Sequence, residues 1–232
     1  LGGSGRMVIG AEKPAIADRV AELYARKNIN PQYFGQRIPV IKMGIRSAML
    51  VKYAANGYRS TKITFINDVS HYSAALGFDI NGVADKIGKD PRIGRAFLSA
   101  GIGWGGSCFP KDSLSLMRQF AKAGVPYGLM LDTFVVNELQ WEMFAERIRD
   151  RLDGVKGKTI VVLGGAFKPD TSDDRESRAL LIIRQLVAWG AKVRVFDPVA
   201  IPSLRKSIAD LETPAGMEPQ VSYYERPDEL YP

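Results

Sequence analysis

Between Lys158 and Pro198 the hydrophobic pattern commits this chain to a parallel β-sheet. TIVVLG, from Thr159 to Gly164, is a continuous apolar run that ends in glycine. After a polar loop a helical stretch covers residues 177–189, and KVRVFDP supplies a second strand. An unbroken apolar run suits a strand covered on both faces. Strand, helix and strand over this length form a βαβ unit with parallel strands and a right-handed crossover. After Pro198 only a weak helix near 201–209 and a possible strand near 221–224 follow, whereas a doubly wound sheet has more strands.

Upstream the period changes to that of helices. From residue 46 to 67 the apolar positions Met49, Leu50, Tyr53, Ala54, Tyr58, Ile63 and Ile66 recur near helical spacing with no proline among them, which predicts a long central helix. It continues as a candidate through 69–76 and ends near Gly77, and Gly88 closes a further helix at about 81–87. Two more helical patterns span about 113–123 and 130–152, the second carrying EMFAERIRDRL, whose acids and bases can pair along a solvated face. Residues 1–45 read as a strand at 7–9, a helix at 14–26 and a strand at 38–41. The predicted class is α/β, with divisions at 1–45, 46–153 and 154–232: a short βαβ piece, a central helical region, and a Rossmann-like parallel βαβ domain.

Composition removes several classes of function. With 25% charged residues and no apolar run long enough to span a bilayer, the chain is expected to be soluble. Its start, LGGSGRMVIG, lacks the pattern of a secretory signal, so a cytoplasmic location is expected. The net charge of +7 comes from scattered Lys and Arg rather than a basic block, which favours phosphate-bearing metabolites over nucleic acid. One cysteine and one histidine exclude an intramolecular disulfide and disfavour a Cys/His metal site. On these grounds alone Cys108 is either a small buried residue or a nucleophile.

The segment around it narrows that choice. In GIGWGGSCFPKD, residues 101–112, four glycines precede Cys108, and Lys111 and Asp112 follow it. Glycines permit close backbone approach and a pocket lined by main-chain N–H groups. Such N–H groups, with Lys111 nearby, would favour a thiolate. Gly101, Gly103 and Gly106 also satisfy the dinucleotide fingerprint G-x-G-x-x-G, but no strand precedes them and Pro110 follows, so the segment is not read as a cofactor loop. Asp112 has an alternative reading as the N-cap of a helix beginning at Ser113. Trp104 is core or pocket wall, and His71 reads as an ordinary helix residue.

These motifs together resemble the UDP-glucose/GDP-mannose dehydrogenase family. GIGWGGSCFPKD resembles its cysteine motif, and Lys52-Tyr53-Ala54-Ala55-Asn56 with Phe65-Ile66-Asn67 resembles its central helix. Arg92-Ile93-Gly94 precedes the cysteine as in the UDP-glucose enzymes. Phe167-Lys168-Pro169-Asp170-Thr171 with Asp174-Arg175-Glu176-Ser177 resembles the opening of the sugar-nucleotide domain. Phe109-Pro110-Lys111-Asp112 tilts the resemblance toward UDP-glucose over GDP-mannose.

The resemblance implies an NAD-dependent oxidation of UDP-glucose to UDP-glucuronate through a thiohemiacetal and thioester on Cys108. It implies Lys52 and Asn56 near the reacting oxygen, and Asp112 orienting water or moving protons. Arg92, Phe97, Gly105, Phe167 and Lys168 would contact the nucleotide sugar, Lys111 and Arg175 the cofactor, and no metal is involved. Arg92 would reach a neighbouring subunit's substrate in a homodimer built on the central helix. Residues 1–45 would be the tail of an NAD-binding domain, and the sugar-nucleotide domain would be incomplete, so the chain alone is expected to be a poor catalyst. The alternatives are a GDP-mannose dehydrogenase, a nucleotide-sugar-binding module without chemistry, and a helical oligomerising protein that binds no sugar nucleotide.

Overall fold

A computed structural model describes residues 6–25, 39–209 and 220–229. They fall into two compact units, residues up to Ala55 and residues from Asn56 onward. In the first, β1 (Met7–Gly10) pairs in parallel with β2 (Val40–Met43), and α1 (Pro14–Ala25) lies between them in sequence. The predicted ends at Arg26 and Ile38 lie outside the described residues. The helix α2 (Ile45–Leu76) begins in this unit, and its first turn packs on Gly10: a Cβ there would lie 2.8 Å from the Ala48 Cβ.

The two helical stretches expected at 46–67 and 69–76 are one continuous α2, which ends at Gly77 with a positive φ of 76°. The next helix, α3 (Ile80–Ile87), starts where the Asp79 carboxylate accepts from the N–H groups of Asn81 and Gly82. Gly88 closes it by being small rather than by adopting a left-handed conformation. Its φ is −71°, and an added Cβ would stand 2.8 Å from the Arg95 Cα. Ile66, Ala84 and Leu98 form a small core between α2, α3 and the segment that follows.

The helix expected at 113–123 is α4 (Phe109–Lys122) and begins four residues earlier. Pro110 accounts for this, because a proline in the first turn has no N–H to waste and its fixed φ is already helical. Asp112 therefore sits inside the first turn with its own N–H donated to the Cys108 carbonyl, at 2.8 Å, and the N-cap reading of Asp112 is incorrect. The last of the central helices is α5 (Gly128–Arg151).

The expected βαβ unit is present as β3 (Thr159–Leu163), α6 (Arg178–Ala188) and β4 (Lys192–Phe196). With α7 (Ile201–Ser207) and β5 (Val221–Tyr224) it makes a parallel sheet of order β3-β4-β5, in which Thr159 faces Lys192 and Val193 faces Val221. Ile183, Leu186, Val193, Val195 and Leu204 are fully buried at its centre. Among the described residues no helix is long and apolar enough to cross a membrane.

Asp197, at the end of β4, secures the loop that follows β3. Its carboxylate accepts from the backbone N–H groups of Gly165, Ala166, Val199 and Ala200 at 2.7–3.2 Å. Burial opposes its ionisation, but the four donors outweigh burial and hold the group below the ordinary carboxylate value of 3.8. A depressed folded-state value adds stability that is present above the unfolded value and lost as pH falls below it. Asp197→Asn is expected to cost about 1.5–3 kcal/mol near neutrality and to flatten the loss of stability below pH ~3.8. Urea unfolding at pH 7 and pH 3 measures both effects.

Candidate active site

Cys108 is exposed and stands at the N-terminus of α4, as the residue before its first turn. Its nearest polar partner is the Ser107 hydroxyl, 3.8 Å from Sγ. The reading of Cys108 as a buried core thiol is thereby removed. One turn into the helix Asp112 is wholly buried, and one carboxylate oxygen accepts from the Asn56 side-chain amide of α2 at 2.7 Å. The other accepts from the Lys111 ammonium, so that cation is engaged with Asp112. Arg59 donates to the Asn56 Oδ1 at 3.2 Å and also lies over the Phe97 ring, 5.4 Å from its centroid. A donor on one side and a carboxylate on the other fix which way the Asn56 amide points. Lys52 precedes Asn56 by one turn of α2, its ammonium 5.8 Å from the Tyr53 ring centroid.

Gly105 and Gly106, before Cys108, are taken up by packing. Gly106, at a φ of 80°, donates its N–H to the Arg175 carbonyl at 3.0 Å, and a Cβ there would strike the Phe167 ring at 2.5 Å. A Cβ on Gly105 would stand 1.8 Å from the Glu176 carbonyl oxygen. The loop therefore lies directly on the 167–177 segment beyond β3. Gly105→Ala is expected to force that backbone apart and to cost about 2–3 kcal/mol, which thermal unfolding measures. No strand precedes the loop, as expected when the dinucleotide fingerprint was set aside.

Phe167, Lys168 and Arg175 sit outside the carboxyl end of β3, where parallel sheets bind small anions. The Lys168 ammonium lies 5.3 Å from the Phe167 ring centroid. Arg175 grips Asp173 through two hydrogen bonds, of 2.8 and 2.6 Å. That contact, helped by the Lys168 charge, holds the Asp173 carboxyl at about 2. The Arg175 guanidinium is raised mainly by Asp173, with Cys108 a smaller contribution. Arg92 is solvent-facing and paired with Asp90 in the turn before the loop, and its guanidinium is raised by that carboxylate. Phe97 holds a strained positive φ of 65° with its ring exposed.

A buried polar lattice beneath the loop is invisible in the sequence. Trp104 is a core residue, and its indole N–H donates to the Thr64 hydroxyl at 3.0 Å. Its backbone N–H donates to the Asn137 Oδ1, and its carbonyl accepts from both Asn137 and Arg178. The Arg178 side chain, 2% exposed, extends from the start of α6 to Glu138 on α5, with bonds of 3.1 and 2.6 Å. Asn137 and Arg178 occupy positions that sequence patterning assigns to polar helix surface, so only tertiary packing identifies them.

Residues 46–139 match the UDP-glucose/GDP-mannose dehydrogenase family, central domain, and residues 161–228 match its UDP binding domain. The UDP-glucose 6-dehydrogenase TuaD of Bacillus subtilis (strain 168) is 43% identical over 219 residues, which is 94% of this chain and 44% of that protein. UDP-glucose 6-dehydrogenase AglM of Haloferax volcanii is 39% identical over 210 residues, 89% of this chain and 47% of that protein. A UDP-glucose dehydrogenase from the hyperthermophilic archaeon Pyrobaculum islandicum has a similar structure, with a TM-score of 0.84 at 36% identity, covering 97% of this chain and 48% of that one. The chain thus spans less than half the length of these relatives. Carrying both matched domains in order, it belongs to the UDP-glucose/GDP-mannose dehydrogenase family.

Proposed function

We propose that this chain contributes the covalent-catalysis and sugar-nucleotide parts of an enzyme that oxidises the primary alcohol of UDP-glucose to the carboxylate of UDP-glucuronate. The observation that carries this reading is the exposed Cys108 at a helix N-terminus, directly above a buried carboxylate–amide pair, Asp112 and Asn56. The relatives named UDP-glucose 6-dehydrogenase support the choice of sugar. The division into residues 1–45, 46–153 and 154–232 is proposed with it.

The chemistry explains why a thiol is needed. An aldehyde has no hydride to give until a nucleophile adds to its carbon. The Cys108 thiolate adds, the oxygen gains a proton, and the resulting thiohemiacetal can lose a second hydride to become a thioester. Water then attacks the thioester carbon, the C–S bond breaks, and the thiol and carboxylate are released. Asn56 stabilises the negative oxygen in the addition steps, a role the family resemblance also implies for Lys52, and Asp112 orients the water and takes its proton. Lys168, Phe167, Gly105, Phe97 and, from a second copy, Arg92 hold the nucleotide sugar, while Lys111 and Arg175 face the cofactor.

NAD is the hydride acceptor that this reading requires. Lys111 and Arg175 are the described residues that would face it, while the turn after β1 carries no further glycine after Gly10. The test is absorbance at 340 nm on mixing the protein with NAD and UDP-glucose or GDP-mannose, with intact mass confirming which domains the sample carries. Two NADH per UDP-glucose, and few with GDP-mannose, is the expected result for an enzyme carrying a complete cofactor domain. No NADH from such an enzyme refutes the dehydrogenase reading.

The homodimer is proposed on the same helix. Tyr58, Phe65 and Tyr72 recur every seven residues along α2 and are 64%, 54% and 66% exposed, a spacing that forms one continuous apolar stripe. A second copy of the stripe covers it. Phe65→Glu is expected to convert dimer to monomer in sedimentation velocity, and an unchanged dimer contradicts this placement of the interface.

A further inference from the structure

The only histidine of the chain stands behind the cysteine loop and is held at both ring nitrogens. Its Nε2 is 2.8 Å from the Gln140 Oε1, and its Nδ1 is 3.2 Å from an Arg147 guanidinium nitrogen. The Gln140 Nε2 in turn donates to the Gly101 carbonyl at 2.6 Å. Across the same residue, the Gly101 N–H donates to the Asn67 Oδ1 at 2.9 Å. Gly101 opens the loop that leads to Cys108, so the loop's first peptide groups are clamped by side chains from two helices, α2 and α5.

Donor and acceptor chemistry then fixes the histidine. Because Gln140 uses its N–H on Gly101, its oxygen must accept, and Nε2 must carry the proton. Arginine can only donate, so Nδ1 must present a lone pair. We propose that His71 is a positioning residue for the cysteine loop, holding Gln140 on the Gly101 carbonyl, and that it does so only as the neutral Nε2–H tautomer. Protonating Nδ1 replaces the lone pair with an N–H aimed at a guanidinium, so the Arg147 bond is lost and two cations face each other. Among the described residues lining the cavity of about 230 Å³ beside the ring, His71 and Arg147 alone carry titratable side chains, while Glu146 and Asp150 line a second cavity with Arg147 and only partly offset its charge.

The role in catalysis rests on the proposed function above, but the clamp is tested without turnover. With a single histidine, two-bond 1H–15N correlation spectra report its tautomer without overlap, and amide exchange of residues 101–107 reports the loop. The expected spectrum of the neutral ring is that of the Nε2–H tautomer. Exchange corrected for its intrinsic pH dependence should rise roughly three- to tenfold as the ring protonates. His71→Phe should show the fast exchange at every pH. His71→Gln, which keeps a donor and an acceptor, should restore slow exchange and abolish the pH step. A neutral ring in the Nδ1–H form overturns the proposal on the unmodified chain, even if His71→Phe fails to fold. A folded His71→Phe variant with unchanged loop exchange also overturns it. Loss of NADH formation with the clamp intact would instead count against the dehydrogenase reading.

Discussion

Replacing Cys108 with alanine in the enzyme that carries these domains is expected to lower UDP-glucuronate formation at least about a thousandfold while leaving the fold intact. The two effects separate because the side chain is exposed and its nearest polar partner is a hydroxyl 3.8 Å away. Little packing is lost, and the stability change should stay within about 0.5 kcal/mol. Cys108→Ser is expected to fail as well, because an alcohol adds to the aldehyde far less readily than a thiolate and its ester would hydrolyse less readily than a thioester. Progress curves at 340 nm, read beside thermal melts, check both halves of the expectation. A variant that unfolds would show that the residue supports the loop rather than the chemistry.

Arg178→Met is expected to do the opposite and destabilise the chain by about 3 kcal/mol. The guanidinium is 2% exposed and joins α6 to Glu138 on α5 and to the Trp104 carbonyl of the cysteine loop. Methionine can fill much of the volume but leaves the carbonyl with Asn137 as its remaining partner among the bonds described. The Glu138 side chain is 41% exposed and can recover water, which keeps the loss below that of a fully buried orphan charge. Urea unfolding of Arg178→Met, Glu138→Gln and the double variant gives the coupling directly. A coupling near zero would mean that solvent already screens the pair.

How much of this was legible in the sequence follows from which forces leave a local trace. The βαβ unit at 159–196 was readable because strands covered on both faces need unbroken apolar runs, and TIVVLG and KVRVF supply them. The start of α4 is not legible because Pro110 reads as a break in the pattern, whereas it is a first-turn residue. Cys108, Asn56 and Asp112 stand out in the sequence because they lie in motifs resembling a known family, and Asn56 and Asp112 are hydrogen-bonded to each other. The loop glycines read as room for a ligand, whereas Gly105 and Gly106 face Glu176 and Phe167, residues 71 and 61 positions away that no local pattern points to. Asn137, Gln140, Arg178 and His71 share that difficulty: each is a polar residue on a helix, and only the packing of one helix on another shows what it holds.

If Cys108 forms the covalent bond to the sugar carbon, intact-mass spectrometry after acid quench captures that bond. The enzyme carrying these domains is mixed with UDP-glucose and NAD, stopped during turnover, and mapped by peptide. An Asp112→Asn variant, slowed at hydrolysis, should raise the trapped fraction. The expected result is an added UDP-glucuronyl mass on the peptide bearing Cys108, absent when UDP-glucose or NAD is omitted. Steady formation of two NADH per UDP-glucose, with undiminished rate in Cys108→Ala and no adduct at any quench time, would contradict it.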